Sequence, residues 1–254
     1  MIDFHSHVMP EVDDGSRSMD MTMDMINNSL EQGVEYICVT PHFITSEHEI
    51  SHEEYLNRFN SLKSSLGSRI NVIQGLEVYI NPELPELYKE SRIWGYNGKQ
   101  YMLIELPMQH YPIYTDKIFY ELRLLGVIPV LAHPERNLSI MKNPELLINI
   151  IEQGNLAQMN SGSLTGLYGT EVKKFAEKLI SMNLIHIVGS DGHNNGKRNT
   201  DIKDGLERIK TLNSYLYKWI SGNEMKIVNG IEVEVPDIIS NKKKKSLFDF
   251  FRKK

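Results

Sequence analysis

Residues 2–7 read IDFHSH, and this short segment decides how the rest of the chain is interpreted. A run of three residues is followed at once by two histidines, His5 and His7, with one residue between them. Side chains two residues apart on an extended segment point to the same side, so both imidazoles can reach one cation. The segment therefore predicts a buried strand that ends in two metal-ligating side chains.

Short apolar runs like the one at the N-terminus recur along the chain, and each is apolar on both faces, as buried parallel strands are. The other runs are YICVT (36–40), NVIQGLEV (71–78), YMLIEL (101–106), VIPVLAH (127–133), LAQMN (156–160) and IHIVGS (185–190). The stretches between them carry apolar residues at helical spacing, which predicts helices over 18–32, 52–66, 115–125, 144–153, 170–182 and 201–220.

Seven strand–helix units within about 220 residues predict an α/β fold, a closed but distorted (β/α)7 barrel of the TIM type. A doubly wound open sheet is the structural alternative. In the barrel, the segments 43–52 and 161–170 would form loops at the mouth. The length of 254 residues and the hydrophobic content of 41% fit one large α/β domain, which we place at residues 1–240.

Six of the seven predicted strands end in a side chain that can bind a metal ion. These side chains are His5 with His7, His42, Glu77, Glu105, His133, and Asp191 with His193. The active sites of parallel barrels lie where the carboxyl ends of the strands meet, so ligands scattered in sequence converge there. A buried histidine or glutamate costs free energy unless it is paired or coordinated, so a core has no need of them. Asp14, within the turn-like DDG at 13–15, is the ninth candidate ligand.

The composition and the single cysteine disfavour several function classes. The net charge of −5 gives no general attraction to nucleic acid. With Cys38 alone, no disulfide can form within the chain, which fits a reducing cytoplasm. Phosphatases with a cysteine nucleophile need an arginine six residues after it, and Ile44 stands at that position here. We expect Cys38 to be a small buried side chain instead.

The two ends of the chain differ in composition. The N-terminal MIDFHSHVMPEVDD has no basic region and no long apolar run, so we expect no signal peptide and a cytoplasmic protein. No apolar stretch of about 20 residues exists, so no transmembrane helix is expected. Residues 241–254 contain the basic and aromatic run KKKKSLFDFFRKK and are predicted to form a flexible tail. Either the tail is simply solvated, or it attaches the protein peripherally to anionic lipid at the inner face of the membrane.

Six motifs together carry a resemblance to a known superfamily. They are DFHSHVMPEVDDG (3–15), TPH (40–42), GLE (75–77), IE (104–105), AHPER (132–136) and SDGHN (190–194). In order and spacing they resemble the polymerase and histidinol phosphatase (PHP) superfamily, which implies the distorted (β/α)7 PHP barrel. More narrowly, the DDG and AHPER motifs and the chain length resemble the manganese-dependent protein-tyrosine phosphatases of Gram-positive capsule and exopolysaccharide loci. The similarity runs from Met1 to about Val235.

The resemblance implies a centre of three divalent metal ions, with manganese as the first choice and iron, zinc or magnesium as alternatives. The implied ligands are His5, His7, Glu77 and Asp191 for one ion, Glu77, Glu105 and His133 for the second, and Asp14, His42 and His193 for the third. Nitrogen and oxygen ligands without a thiolate suit such ions. Two arginines that contact phosphate in that family match Arg136 and Arg198, although the HNNGKRN context of Arg198 departs from the family pattern.

The implied activity is hydrolysis of phosphotyrosine by a metal-bound hydroxide, since coordination brings the pKa of water from 15.7 to about 7. The implied partner is a phosphotyrosine protein, a membrane-associated bacterial tyrosine kinase, and the implied role is regulation of capsule or exopolysaccharide synthesis. Three alternatives stay open: a small-molecule phosphatase such as histidinol-phosphate phosphatase, a phosphodiesterase or exonuclease, and a non-catalytic metal-binding docking domain. The two candidate arginines favour an enzyme, because a docking domain has no need of them.

Overall fold

Nine short strands run parallel to one another in the computed structural model, which describes residues 1–239. They are β1 (Ile2–Ser6), β2 (Tyr36–Val39), β3 (His42–Phe43), β4 (Asn71–Gln74), β5 (Glu77–Tyr79), β6 (Tyr101–Glu105), β7 (Ile128–Ala132), β8 (Leu156–Asn160) and β9 (Ile187–Gly189). The tail predicted over 241–254 lies outside the described residues, so its flexibility and the domain boundary at 240 stay predictions. Within residues 1–239, no helix has the length and apolarity that crossing a bilayer requires.

Two of the seven strand positions are each interrupted close to their carboxyl end. Thr40 and Pro41 separate β2 from β3, and Gly75 and Leu76 separate β4 from β5. The result is a three-stranded sheet in the order β1-β2-β4 and a six-stranded sheet in the order β3-β5-β6-β7-β8-β9. Proline lacks the N–H that a strand ladder needs, which accounts for the break at Pro41. Counted as continuous segments, the strands of the described chain occupy seven positions, as predicted.

The last strand returns beside the first and closes the barrel. A parallel bridge pairs Ser6 with Gly192, and the His7 N–H donates to the Gly192 carbonyl at 2.9 Å. Deeper in the same seam, the buried Asp3 carboxylate accepts from the backbone N–H and the hydroxyl of Ser190, at 2.8 and 2.7 Å. An open sheet would leave its first and last strands on separate edges, so the predicted closed barrel is confirmed and the doubly wound alternative is excluded.

Helices follow most strands along the chain. They are α1 (Met19–Glu31), α2 (His52–Leu66), α3 (Leu84–Lys89), α4 (Thr115–Leu124), α5 (Leu138–Lys142), α6 (Glu145–Glu152), α7 (Ser161–Thr165), α8 (Thr170–Ser181), α9 (Lys203–Leu212) and α10 (Ser214–Val228). Single 3-10 turns cover Tyr96–Gly98 and Pro134–Arg136. Five of the six predicted helices agree with the structure to within about two residues at each end.

Two predictions of local structure are wrong. The predicted helix over 201–220 is two helices, because Asn213 has the non-helical angles φ −150° and ψ 86°. Its side chain accepts from the Leu216 N–H at 3.0 Å and caps α10, a local hydrogen bond that competes with a continuous helix. The segment 161–170 begins with the short helix α7 and is therefore not a simple mouth loop.

The strand side chains form two apolar layers. Phe4, Tyr101 and Val130 belong to one cluster, which fills the interior of the barrel below the strand ends. Neighbouring residues on the same strands, such as Met102 and Leu131, belong to the larger cluster that packs against the helices. The filled interior gives the side chains at the carboxyl ends of the strands a rigid floor.

Residues 231–239 lie across the opposite, amino-terminal face of the barrel without regular secondary structure. The Ile239 N–H donates to the carbonyl of Met182, just before β9, at 3.0 Å. The hydroxyl of Tyr101, the first residue of β6, donates to the beginning of this segment at 3.2 Å. Met1 precedes β1 and lies on the same face, so both ends of the described chain are remote from the carboxyl ends of the strands.

Gly189 and Gly222 provide a matched pair of substitutions that tests the closed seam. A Cβ at Gly189, in β9, would lie 2.4 Å from the Cβ of His5, so Gly189→Ala should destabilise the fold by about 1–3 kcal/mol through overpacking. A Cβ at Gly222, in α10, meets nothing within 4 Å, so Gly222→Ala should stabilise the fold by about 0.5–1 kcal/mol. Urea unfolding measures both changes, and an unchanged or raised stability of Gly189→Ala would contradict the close packing of β9 on β1.

Candidate metal centre

The carboxyl ends of the strands bring all nine predicted ligands together. Among residues 1–239, three overlapping groups each hold their nitrogen and oxygen atoms within 4.8 Å of one another. The groups are His7, Asp14, His42 and His193; His5, His7 and Glu77; and His42, Glu77 and Glu105. His133 and Asp191 complete the cluster, because His133 Nε2 lies 2.9 Å from Glu77 Oε1 and Asp191 Oδ1 lies 3.4 Å from His193 Nδ1.

Glu77 lies at the centre of the cluster and is almost wholly buried. Its Oε2 is 3.1 Å from His5 Nε2, 3.2 Å from His7 Nε2 and 3.0 Å from His42 Nδ1. Its other oxygen, Oε1, faces His133 Nε2 at 2.9 Å. The two oxygens of one carboxylate therefore face two different sets of imidazoles, which is the arrangement that a bridging ligand needs.

Outer hydrogen bonds fix which ring nitrogens of the first two histidines carry a lone pair. His5 Nδ1 lies 3.1 Å from Gln158 Oε1, and His7 Nδ1 lies 2.7 Å from Asp13 Oδ2. Both acceptors call for an N–H at Nδ1, so both Nε2 atoms present lone pairs. These two Nε2 atoms are 3.1 Å apart and both face Glu77 Oε2. Lone pairs converging in this way repel each other unless a proton or a metal cation lies among them.

The residues of the cluster suit divalent metal ions, whose positive charge would balance the buried carboxylates. His42 Nδ1 and Glu77 Oε2 are buried and 3.0 Å apart, yet within residues 1–239 neither forms a hydrogen bond. Burial lowers the pKa of His5, but the carboxylates of Glu77 and Asp191 more than offset this effect, so the pKa is raised. Imidazoles and carboxylates without a thiolate suit manganese, iron, zinc or magnesium better than soft ions.

A second part of the cluster is open to solvent. His193 Nδ1 lies 2.9 Å from the Asp191 carbonyl oxygen, which leaves its Nε2 free to bind a cation. That Nε2 is 3.3 Å from Asp14 Oδ1, and His42 Nε2 is 3.5 Å from the same oxygen. The Asp14 side chain is 61% exposed, so this end of the cluster is the one that substrate and water can reach.

The pKa of Glu105 shows how crowded with negative charge the centre is. Burial and the neighbouring Glu77 carboxylate raise the pKa of Glu105 to about 8. Its Oε2 lies 3.9 Å from His42 Nδ1 and its Oε1 lies 3.7 Å from His133 Nε2. A carboxylate in such surroundings is stabilised by a bound cation, because the cation offsets both the burial and the like charge.

Both predicted arginines reach the cluster through Asp191. Asp191 Oδ2 accepts from Arg136 Nη1 at 2.8 Å, from Arg198 Nη2 at 2.9 Å and from Asn160 Nδ2 at 2.7 Å. Asp191 Oδ1 faces the histidines instead, with His193 Nδ1 at 3.4 Å. The aspartate therefore joins the arginines to the candidate metal centre, and the guanidinium groups lie at its edge.

The two arginines differ in their surroundings. The Arg136 guanidinium stacks on the ring of Tyr168, 4.1 Å from the ring centroid, which is a favourable cation–π contact. Arg198 Nε is buried and has no hydrogen-bond acceptor within the described chain. The Arg136 guanidinium is thus held against the Tyr168 ring, while Arg198 keeps an N–H donor that no acceptor in the described chain uses.

Two strand ends depend on backbone conformations that are rare outside glycine. His133, after β7, has φ 30°, and Asp191, after β9, has φ 54°. The first conformation turns the chain into Pro134–Arg136 and carries Arg136 back toward the mouth. The second lets the Asp191 N–H donate to the His5 carbonyl at 2.8 Å. Such conformations cost about 1–3 kcal/mol each and cluster at functional sites.

The sequence reasoning missed the residues that orient the candidate ligands. Asp13 was assigned only to the DDG turn, and its Oδ1 indeed accepts from Gly15 N–H at 2.9 Å. Its Oδ2, however, accepts a hydrogen bond from His7 Nδ1. Burial raises the pKa of Asp13, but the interaction with His7 lowers that pKa well below its usual range. Gln158 lies in β8, which was the one predicted strand without a ligand at its end. A polar side chain inside that apolar run was the available signal.

The remaining histidines lie outside the candidate centre, and Cys38 is buried, as predicted. His186 is buried, and burial lowers its pKa to about 3. It directly precedes β9, away from the carboxyl end. His52 and His110 are exposed, and His48 is partly so. Cys38 is fully buried, and burial raises the pKa of its thiol well above the usual value.

Comparison with known proteins identifies relatives over most of the chain. The family described as "Capsular polysaccharide synthesis, CpsB/CapC" matches residues 1–229. Tyrosine-protein phosphatase YwqE of Bacillus subtilis (strain 168) is 36% identical over 209 residues, which cover 81% of this chain and 82% of that protein. Tyrosine-protein phosphatase CpsB of Streptococcus agalactiae serotype III (strain NEM316) is 30% identical over 202 residues, covering 76% and 83%.

Solved structures give the same relationship. A chain from the crystal structures of YwqE from Bacillus subtilis and CpsB from Streptococcus pneumoniae, described as unique metal-dependent tyrosine phosphatases, matches with a TM-score of 0.89 and 32% identity. The match covers 94% of this chain and 100% of that one. Histidinol phosphate phosphatase from Lactococcus lactis, solved with zinc, L-histidinol and phosphate, has a TM-score of 0.54 at 15% identity and covers 85% and 93%. It shares the fold. The resemblance and the PHP-type barrel predicted from the motifs are confirmed.

Loss of the Asp13 carboxylate should weaken metal binding although Asp13 is not itself a predicted ligand. Without its acceptor, the His7 ring loses the orientation and tautomer that present Nε2 to a cation, so Asp13→Ala should lower metal affinity about 10–100-fold. Asp13→Asn keeps an acceptor oxygen and should lose less. Chelator competition measures both affinities, and Asp20→Ala, at an exposed carboxylate in α1, serves as control. Unchanged affinity in Asp13→Ala would show that His7 needs no outer partner.

Proposed function

Since the chain belongs to the CpsB/CapC family of capsular polysaccharide synthesis proteins, we propose that it is a metal-dependent protein-tyrosine phosphatase. The reaction is the hydrolysis of phosphotyrosine in a protein substrate. The biological role is the regulation of capsule or exopolysaccharide synthesis. The family and the names of relatives that cover most of this chain support both statements.

The arrangement around Glu77 is the observation in the molecule that carries the proposal. The Nε2 atoms of His5 and His7 converge on a buried carboxylate oxygen, an arrangement that a metal cation among them stabilises. The guanidinium groups of Arg136 and Arg198 lie at the edge of the same cluster. A cation centre bordered by arginines is the combination that binds a phosphate group and stabilises its transferring charge.

We assign three divalent ions to the cluster, with manganese as the first choice and iron, zinc or magnesium as alternatives. Their ligands are His5, His7, Glu77 and Asp191; Glu77, Glu105 and His133; and Asp14, His42 and His193. The contacts of Glu77 with two sets of imidazoles support its place as the bridge. The close approach of His42 Nε2 to Asp14 Oδ1, at 3.5 Å, supports the assignment of His42 to the third ion.

The charge balance of the assigned centre favours a phosphate dianion. Four carboxylates contribute −4 and three divalent ions contribute +6, which leaves +2 to attract the substrate. Bound divalent ions supply water made acidic enough to attack at neutral pH, together with positive charge against the phosphate oxygens. The chain itself holds the imidazoles in the ligating tautomer through Asp13 and Gln158. A tyrosine leaving group has a pKa of about 10, so it needs little acid assistance.

Arg136 and Arg198 are assigned to bind the phosphate oxygens. Each uses one terminal nitrogen on Asp191 Oδ2 and keeps further N–H donors for an anion. The unused and buried Nε–H of Arg198 supports this role, since a buried donor without an acceptor is otherwise costly. The stack of Arg136 on Tyr168 supports it too, because it restricts the guanidinium before substrate arrives.

The protein partner we propose is a membrane-associated bacterial tyrosine kinase bearing phosphotyrosine, and the place of action is the cytoplasm at the inner face of the membrane. Residues 1–240 form the phosphatase domain in this proposal. The basic tail at 241–254 provides a contact with anionic lipid, where each basic residue near the surface contributes about 1 kcal/mol. We propose no nucleic-acid partner, because the net charge of −5 gives no general attraction to nucleic acid.

An activity panel on the metal-loaded protein tests the proposed reaction. It compares a phosphotyrosine peptide, a phosphoserine peptide, histidinol phosphate and a phosphodiester, each with and without a chelator. We expect hydrolysis of the phosphotyrosine peptide to exceed the other three and to disappear when metal is removed. Activity that survives rigorous metal removal would refute the metal mechanism. A preference for histidinol phosphate would contradict phosphotyrosine as the substrate.

Two variants in the same panel separate metal binding from phosphate binding. His133→Ala should lose most activity together with metal affinity, whereas Arg136→Ala should retain its metal and lose about 100- to 1,000-fold in kcat, as when a charge-stabilising donor is removed. Arg69→Ala, at an exposed arginine that bonds Asn27, is the matched control. Near-normal turnover of Arg136→Ala would remove that residue from the mechanism.

Liposome co-sedimentation tests the contact through the tail. The full chain and a chain truncated after Ser240 are compared on vesicles with and without anionic lipid at low and high salt. The full chain should sediment with anionic vesicles at low salt and release at high salt, because the attraction is electrostatic. The truncated chain should stay in solution. Equal sedimentation of the two chains would end the proposal for the tail.

A further inference from the structure

Tyr79 is the last residue of β5 and lies beside the candidate metal centre. Side chains alternate along a strand, so Tyr79 points to the same side as Glu77, two residues earlier. Val78 between them is fully buried in the apolar layer against the helices. In the parallel pairing of β5 with β6, Tyr79 stands opposite Glu105. Tyr79 is therefore level with Glu105 and one step beyond Glu77, toward the mouth of the barrel.

The surroundings of Tyr79 supply no structural reason for a tyrosine. Within residues 1–239, its hydroxyl makes no hydrogen bond and its ring belongs to neither apolar cluster. Tyr55 shows the contrast: it is fully buried, donates to the Val39 carbonyl at 3.0 Å and accepts from the Gly75 N–H at 3.0 Å. Tyr79 is only half-buried, so part of an aromatic face stands ready for a ligand.

The loop at residues 107–114 brings more apolar surface to the same side of the mouth. It begins directly after β6, and Asn137 Nδ2 donates to the carbonyls of Pro107 and His110 at 2.8 and 3.1 Å. Because Asn137 follows Arg136, these bonds tie the loop to the turn that carries the arginine. Ile113 in this loop is 101% exposed, the most exposed large apolar side chain among the described residues.

Electrostatic contacts agree with this placement of Tyr79. Burial, the Glu105 carboxylate and the hydroxyl of Tyr114, in that order, raise the pKa of Tyr79. The pairing with Glu105 places Tyr79 beside a residue assigned to the metal centre, and Tyr114 at the end of the loop is near enough to affect the pKa of Tyr79. An aromatic ring placed between a phosphate site and an apolar rim is positioned for a substrate that has a phosphate at one end and a ring behind it.

We propose that Tyr79 is a specificity-determining residue that packs against the phenyl ring of the substrate phosphotyrosine. This inference rests on the proposed phosphatase function and adds to it the group that distinguishes an aryl phosphate from an alkyl phosphate. Aromatic pairs prefer offset or edge-to-face packing, and their contribution corresponds to about a three- to tenfold change in affinity. The hydroxyl of Tyr79 has no part in the contact, so phenylalanine should serve as well as tyrosine.

Inhibition by two phosphonates tests this role without any effect of the leaving group. Phenylphosphonate and methylphosphonate carry the same anionic group and differ in the ring. Inhibition constants are measured against the unaltered metal-loaded protein, Tyr79→Phe and Tyr79→Ala. Tyr79→Ala should bind phenylphosphonate about three- to tenfold more weakly and methylphosphonate unchanged, because it loses the ring contact alone. Tyr79→Phe should match the unaltered protein with both compounds.

Tyr215→Ala is the matched control, since Tyr215 is an exposed tyrosine on α10, away from the strand ends. It should leave both inhibition constants unchanged. Unchanged methylphosphonate binding in Tyr79→Ala also shows that the centre is intact in that variant.

Three results would overturn the inference. If the protein prefers phosphotyrosine but Tyr79→Ala binds phenylphosphonate as well as the unaltered protein does, Tyr79 does not contact the substrate ring. The proposed function is then unaffected. Equal weakening of both phosphonates would make Tyr79 a structural support for the metal centre rather than a ring contact. An unaltered protein that hydrolyses phosphotyrosine and phosphoserine peptides equally well would remove both the proposed function and the preference that Tyr79 explains.

Discussion

A carboxylate buried among imidazoles is the interaction on which the rest of this site depends. Glu77 is 1% exposed, and burying its charge is costly unless partners surround it. His5, His7 and His133 provide those partners, and each ring must be turned correctly. That orientation in turn requires acceptors behind the rings, so the need for Asp13 and Gln158 follows from the position of one glutamate. The candidate ligands therefore depend on one another and on the acceptors behind them.

The seam that closes the barrel also positions part of the candidate centre. The seam between β1 and β9 joins Asp3 to Ser190. Immediately beyond it, Asp191 takes a left-handed backbone conformation and directs one oxygen to the histidines and the other to two arginines. The strain at this residue is tolerated because the hydrogen bonds of the seam hold it on both sides. A barrel that failed to close would lose the link between the candidate metal centre and the arginines.

The sequence predicts the parts of this structure that repeat. Alternating apolar runs and helical stretches give the seven strand positions, and the position of each histidine or acid at a strand end places it in the cluster. Three features escape such reasoning because they depend on particular hydrogen bonds or ring contacts rather than on the apolar pattern. Asn213 ends a helix that the apolar spacing would continue, Gln158 supports a ring 153 positions away, and Tyr168 carries a guanidinium. Gln158 is marked only as a polar side chain in an apolar run, and nothing near Gln158 or Tyr168 in the sequence indicates which partner the fold brings to it. The metal identity and the number of ions are likewise properties of the assembled centre.

Both ends of the described chain lie on the face opposite the candidate centre. Met1 precedes β1, and Ile239 is bonded to Met182 just before β9. A protein, label or solid support joined at Met1 would therefore lie behind the barrel and leave the mouth unobstructed. Attachment through the amino terminus thus leaves the candidate centre accessible to an incoming phosphoprotein. A surface that holds the chain at Met1 presents the candidate centre outward.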